Sequence, residues 1–275
     1  MITPNIELDF CSIAFRNEPL EQIIPRLAGI GYDGVELFFA HVEGRDNTAL
    51  KSLRHLADHH GIRLPVFSPY FSFTRGPAEY DQTLKTAARA VEIAHILGAT
   101  KIRTFTDVGP DGLASEQATP AHWQQAVRGL QAVTALDRGI EFVVETHERT
   151  LADTVETTRR LLDEVAAPNL KVNFQACEGF RRYGVDAAFV ALAPWITHMH
   201  LQQVTPVHTD GWVENAGAID FPEFIGHVKA ASYRGSMSVE YTWQGVPWER
   251  AASAHRYLRS LLLCLEETSC IGLPQ

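Results

Sequence analysis

An α/β chain forming a single (β/α)8 barrel of the TIM type, over residues 1–275, is the fold this sequence predicts. Three observations predict it. Strand-like apolar runs alternate with helical patterns eight times, which implies parallel strands joined by crossover helices. A chain of 275 residues fits one closed barrel, which typically takes about 250 residues. The segment after the first strand is "RNEPLEQ", without the glycine-rich phosphate loop that an open dinucleotide-binding sheet carries there.

Each unit can be read in order. Strand 1 lies in "IELDFCSIAF" (6–15), with "LEQIIPRLAGIG" as its helix. "GVELFF" (34–39) is strand 2, followed by "ALKSLRHLADHHG". "LPVFSPYF" (64–71) is strand 3, and "YDQTLKTAARAVEIAHILGA" after it has its apolar residues at helical spacing. "KIRTFTD" (101–107) precedes "PAHWQQAVRGLQAVTALDRG", and "EFVVETH" (141–147) precedes "TVETTRRLLDEVA". "LKVNFQA" (170–176) leads to "VDAAFVALAPW", and "ITHMHLQQ" (196–203) leads to "DFPEFIGHVKAASY". "SMSVEYT" (236–242) and "PWERAASAHRYLRSLLLCLEE" complete the series. Gly31, Gly61, Gly98 and Gly139 each stand between a helix and the next strand, where left-handed caps belong. No linker or low-complexity run divides the chain, so one domain is expected.

Composition narrows the function classes. Hydrophobic residues make up 45% of the chain, enough for a large core. A formal net charge of -9 argues against a nucleic-acid partner, because phosphate neutralisation needs Lys and Arg. No apolar run is long enough to cross a bilayer, and "MITPNIELDF" lacks the features of a signal peptide, so a cytoplasmic protein with no membrane partner is expected. Cys11, Cys177, Cys264 and Cys270 form no CxxC pair, which points to reduced thiols, with Cys177 a small apolar filler. The long last helix could pack on the barrel or on a second subunit, which leaves a homo-oligomer open.

In such a barrel the active site lies at the C-terminal ends of the strands. Those ends are rich in ionisable groups: Glu36 and His41 on strand 2, Arg103 on strand 4, Glu145 and His147 on strand 5, Gln175 and Glu178 on strand 6, His198 and His200 on strand 7, and Glu240 on strand 8. Such groups inside apolar strands are costly unless paired or ligated. "KVNFQACEGF" (171–180) is the oddest stretch, a strand with Asn173 and Gln175 on one face and a carboxylate, Glu178, just beyond its end. Two carboxylates, an imidazole and an amide oxygen from strands 5 to 8 suit one divalent metal ion: Mn²⁺, Mg²⁺ or Co²⁺, with Zn²⁺ also compatible. Tyr70, with Phe71, Trp212 and Trp243, could wall a sugar pocket or simply pack.

The strings "GYDGVELF", "KIRTF", "VVETHERTLADT", "PNLKVNF", "HMHLQQ", "GAIDFPEFI" and "SVEY" resemble the xylose-isomerase-like TIM-barrel superfamily of sugar isomerases and epimerases. The resemblance extends over nearly the whole chain and is locally strongest to bacterial 3-dehydroshikimate dehydratases. It implies metal ligands at Glu145, Gln175, His200 and Glu240. It implies a substrate-binding role for Arg103, a substrate-facing His147 that donates to a hydroxyl, and an acid/base role at Glu178. Glu36, His41 and Tyr70 are further candidates for substrate binding, and His198 reads as filling a deeper layer. The family pattern on strand 6 is Asp-x-x-His, whereas this chain has Gln175-x-x-Glu178. Gln175 is read either as a ligand or as a hydrogen bonder behind the ligands. Glu178 is read as a base or as the partner of Arg181 or Arg182. Arg103 is read as a substrate clamp or as a salt bridge to Glu145.

The expected activity is that of a divalent-metal-dependent isomerase or epimerase. It would abstract a proton next to a carbonyl of a small polyhydroxylated substrate, such as a sugar, keto-sugar or cyclitol, with Glu178, or Glu145 or Glu240 at the metal, as the base. A dehydratase of the 3-dehydroshikimate or inosose type would share the enolate, and a metal-free carbohydrate-binding pseudoenzyme is a further alternative that Gln175 keeps open. The related barrel of AP-site endonucleases needs more metal-binding histidines, and "PVFSPYF" on strand 3 offers none.

Overall fold

The computed structural model describes residues 6–107, 112–181, 183–204, 211–243 and 245–267. Eight parallel strands close into one barrel in chain order. They are β1 (Glu7–Cys11), β2 (Gly34–Phe38), β3 (Arg63–Ser68), β4 (Lys101–Thr104), β5 (Glu141–Glu145), β6 (Leu170–Phe174), β7 (Ile196–Leu201) and β8 (Ser236–Val239). The helices are α1 (Leu20–Ile30), α2 (Asn47–His59), α3 (Pro77–Leu97), α4 (Pro120–Thr134), α5 (Val155–Val165), the short α6 (Glu178–Arg181), α7 (Val185–Leu192), α8 (Phe221–Ala230) and α9 (Trp248–Glu267). The alternation expected from the sequence is therefore found. None of the described helices is long and apolar enough to cross a membrane.

Strand side chains alternate between two surroundings. Phe10, Leu37, Ile102, Phe142, Val144, Phe174, Met199 and Val239 are buried in the apolar core. The intervening positions, Glu36, Arg103, Glu145, Asn173, His198, His200 and Ser238, are also buried but polar. Glu36 on β2 hydrogen-bonds His198 and His200 on β7, a contact possible only across the barrel, so these positions form its interior. The polar sequence of "KVNF" is thus the inner lining of a barrel whose outer wall is ordinary.

Several strands stop earlier than the sequence suggests. β1 was expected to reach residue 15, yet Ser12–Phe15 turns into a 3-10 helix. Its bend brings the Ser12 hydroxyl to the Phe38 N–H and to His41. The caps also differ in one place. Gly31, Gly61 and Gly98 take positive φ (109°, 64° and 73°), as expected of cap glycines. Gly139 does not, because α4 ends at Thr134 and its last turn is capped from elsewhere. The Asn169 amide approaches the carbonyls of Thr134, Asp137 and Ile140 at 3.0 Å each, which satisfies the helix end without a left-handed residue. Arg182, one alternative partner of Glu178, lies outside the described residues, as do Cys270 and the side chains of Arg181 and Cys264.

Candidate metal centre

Four polar atoms meet at the mouth of β5 to β8. Gln175 holds the last position of the β6 lining, where its N–H donates to the Thr146 hydroxyl at 2.8 Å. Its amide oxygen points inward and lies 2.8 Å from His200 Nδ1. The same amide position is 3.0 Å from Glu145 Oε1 and 3.0 Å from Glu240 Oε2. His200 Nδ1 lies 3.2 Å from Glu240 Oε2 and 3.7 Å from Glu145 Oε2. All four side chains are buried. Glu145, His200 and Glu240 thus form one cluster, each offering a ligand atom within 4.8 Å of the others. Oxygens crowding one imidazole nitrogen at such spacings are acceptors set against acceptors unless a cation lies among them.

Charge leads to the same place. Around His200 the buried interior carries three carboxylates, Glu36, Glu145 and Glu240, and one guanidinium, Arg103. With both imidazoles neutral, one divalent cation balances the set. Burial would discharge His200, yet Glu240, Glu36 and Glu145 outweigh it and raise its proton affinity well above that of an ordinary imidazole. The field at this point calls for positive charge.

The cluster rests on a second tier. Glu36 approaches His200 Nε2 at 3.1 and 3.0 Å and His198 Nε2 at 2.9 Å, and it accepts from the Ser68 hydroxyl at 2.5 Å. Ser236 Oγ, 2.8 Å from His198 Nδ1, closes the far side of that ring. Burial would raise the Glu36 carboxyl, but His200 and His198 overcome it and hold it well below the usual carboxylate range. An ionised Glu36 accepts from His200 Nε2, which leaves Nδ1 facing Glu145 and Glu240. Glu36 was read either as a substrate-binding residue or as a partner of polar groups between the strands; it lies beneath the candidate ligands, with its oxygens engaged by His198, His200 and Ser68. Glu36→Gln is expected to weaken Mn²⁺ binding by about 10–100-fold with the fold intact. Titration calorimetry giving unchanged affinity would sink the orienting role.

Arg103 is wholly buried beside Glu145, with Nε 3.2 Å from Oε2. Its guanidinium carbon lies 5.1 Å from the Tyr70 ring centre and 4.6 Å from that of Phe105, two rings that stack on each other at 5.8 Å. Burial opposes the charge on Glu145, but Arg103 and His200 lower its pKa. Both sequence readings of Arg103 remain compatible with this place, since its guanidinium pairs with Glu145 and also faces Tyr70, itself a candidate for substrate binding.

The remaining candidates lie farther out. His147 follows Glu145 and is partly exposed; its Nδ1 lies 2.7 Å from the Glu148 carbonyl. A carbonyl can only accept, so His147 Nδ1 is the donor in this contact. Glu178 is exposed at the start of α6, and its N–H donates to Glu148 at 2.8 Å. It lines an outer groove of about 830 Å³ with Glu116, Glu148, Arg149 and Asp153. His41 is held behind the β2 end by Ser12 at 3.0 Å, and burial lowers its pKa. Burial also pushes the Cys177 thiol up to about 12, which suits a filler and not a nucleophile.

Sequence reasoning had set Asn173 beside Gln175 on the inward face without its partners, and it missed Ser68 and Ser236. The amide of Asn173 reaches His200 Nε2 at 3.1 Å and Glu145 at 3.4 Å. Ser68 and Ser236 steady Glu36 and His198. Their only advance signal is parity, because each shares the inward face of its strand with a residue that was singled out.

A family model described as a xylose isomerase-like TIM barrel matches residues 24–261. A 3-dehydroshikimate dehydratase from Bacillus anthracis is 26% identical over 210 residues, 73% of this chain and 72% of that protein. Among solved structures, D-psicose 3-epimerase from Clostridium cellulolyticum H10, in crystals with D-tagatose, superposes with a TM-score of 0.79 at 15% identity, over 94% of this chain and 99% of its own. A xylose isomerase-like TIM barrel protein from Mycobacterium smegmatis, in complex with magnesium, gives a TM-score of 0.72 at 14% identity, over 94% and 96% of the two chains.

Proposed function

This chain belongs to the xylose isomerase-like TIM barrel family, and from that membership we propose that it is a divalent-metal-dependent isomerase or epimerase of a small polyhydroxylated carbonyl compound. The observation that carries the proposal is the meeting of Glu145, Gln175, His200 and Glu240 in one buried cluster of donor atoms. Three oxygens and one imidazole suit Mn²⁺, Mg²⁺ or Co²⁺, and Zn²⁺ is compatible. A relative crystallised with magnesium supports an oxygen-seeking ion. When bound, such an ion polarises a carbonyl oxygen and stabilises the charge that develops on it as the neighbouring proton leaves.

The chain's own residues supply the rest. Glu145 and Glu240 approach the centre from β5 and β8, so a carboxylate stands on either side of a substrate carbon held there, ready to take or return its proton. Arg103 holds the Glu145 carboxylate in place and presents its guanidinium to a substrate oxygen. His147 Nε2 hydrogen-bonds a hydroxyl at the mouth. Glu178 serves as base only for a substrate long enough to reach the outer groove.

A return of the proton to the opposite face gives epimerisation, and its return to the adjacent carbon, after enediol formation, gives isomerisation. Loss of a β-hydroxyl from the same enolate gives dehydration, and the 3-dehydroshikimate dehydratase relative favours this second reading. The two are told apart by offering ketohexoses and 3-dehydroshikimate to Mn²⁺-loaded protein in D₂O. Deuterium entering the carbon beside the ketohexose carbonyl supports the first reading, and a UV-absorbing, dehydrated product supports the second. Chelation with EDTA is expected to abolish either activity and added Mn²⁺ to restore it. Full activity in metal-stripped protein would refute the mechanism.

A further inference from the structure

Gln175 stands where the family pattern has an aspartate, and its amide can lie in either of two orientations about the last side-chain bond. With the oxygen inward, Oε1 joins Glu145, His200 and Glu240 as a fourth acceptor. With the nitrogen inward, the same position carries two N–H bonds that meet Glu145 Oε1 and Glu240 Oε2 at 3.0 Å each, with His200 Nδ1 at 2.8 Å. Two donors then face two carboxylates, and nothing else need move. A proton on His200 Nδ1 would also satisfy an inward oxygen, but it leaves that oxygen 3.0 Å from two carboxylate oxygens. Reversing the amide turns both carboxylate contacts into hydrogen bonds. An aspartate could not do this, because ionised it has no N–H and adds a third negative charge to the cluster.

We propose that Gln175 is a reversible ligand, its oxygen turned inward onto a bound divalent ion and its NH₂ turned inward to bridge Glu145 and Glu240 when the ion leaves. The inference rests on the metal reading above and adds to it. The amide substitutes hydrogen bonds for the missing cation, so the barrel mouth stays formed without metal. Binding must break those bonds, which makes the ion exchangeable. The chain would thus take up and release its ion according to supply, where an aspartate at this position would keep it.

The test compares the full chain with Gln175→Asp, both chelated and then titrated with Mn²⁺. The variant is expected to bind Mn²⁺ at least tenfold more tightly and to melt well below the wild type when chelated, with a larger rise in melting temperature on metal addition. Equal affinities and equal chelated melting temperatures would overturn the proposal. A second measurement needs no variant: the Gln175 side-chain amide protons in ¹³C,¹⁵N-labelled wild type, assigned by through-bond correlation to the Gln175 backbone. They are expected to be shifted and slow to exchange in chelated protein and to change on adding Mg²⁺. Metal binding with this signal unmoved overturns the proposal and leaves the metal reading standing. No binding of Mn²⁺ or Mg²⁺ by either protein overturns both.

Discussion

Glu240→Ala is expected to lower activity by about 10³-fold or more and to remove measurable Mn²⁺ binding. Glu240 is one of only two carboxylates in the four-atom cluster, and its Oε2 lies within 3.2 Å of both Gln175 and His200. Deleting it leaves one anion to hold a dication and removes one of the two candidate bases. The effect need not come through misfolding. In chelated protein the substitution relieves repulsion among Glu36, Glu145 and Glu240, which offsets the small cavity left behind. The chelated variant should therefore melt close to the chelated wild type while failing to respond to Mn²⁺. Turnover that survives in the variant after chelation would remove the metal from the mechanism.

The second large effect lies at the opposite end of the barrel. Asp9 on β1 is completely buried, with neither oxygen hydrogen-bonded. Its Oδ1 lies close over Gly34, where a Cβ would come within 2.4 Å of it. Arg63 on β3, 3.7 Å away, is its nearest positive charge, while Glu7 and Asp33 oppose ionisation and Ser236 from β8 favours it weakly. Burial dominates and raises the Asp9 carboxyl from 3.8 to about 7. The folded chain therefore holds the proton more tightly than the unfolded one. Its contribution to stability is complete below about pH 4 and is lost as pH rises through about 7. A shift of about three units corresponds to about 4 kcal/mol across that window. Asp9→Asn should be more stable than wild type at pH 8 by a few kcal/mol and nearly equal to it at pH 4.5. Urea midpoints for both proteins at the two pH values check this, and no gain at pH 8 would show that Asp9 ionises without cost.

The barrel was legible in the sequence because its determinants are local. Apolar faces such as Phe142 with Val144, and helical spacing such as that of α3, are set within a few residues. The candidate ligands at the strand ends were legible for a different reason. A charged residue such as Glu145 in "FVVE" breaks an apolar pattern, and so does His200 in "HMHL". What the sequence could not convey was depth. Glu36 and Glu240 look alike along the chain, yet one supports His200 from below and the other faces it from the mouth. That difference arises from strand register around the closed barrel, which couples residues more than 160 positions apart. Asp9 stayed silent because the second acid of "ELDF" resembles any strand-start carboxylate until the opposite wall is in place. Glu178 shows the converse: its spacing from Gln175 placed it beside the site, but the α6 turn carries it to the exposed rim.

The Asn169 side chain has a consequence for how the barrel is made. The carbonyls it approaches belong to the end of α4 and the turn into β5, and Asn169 itself leads into β6. During synthesis, the helix end of one strand–helix unit stays uncapped until the second strand after that helix emerges. A chain stopped just short of residue 169 would hold α4 and β5 in sequence but not the group that locks them together. The repeat is modular in pattern only. At this joint a unit is completed by its successor, so partial barrels lose cooperativity at the join between the first and second halves.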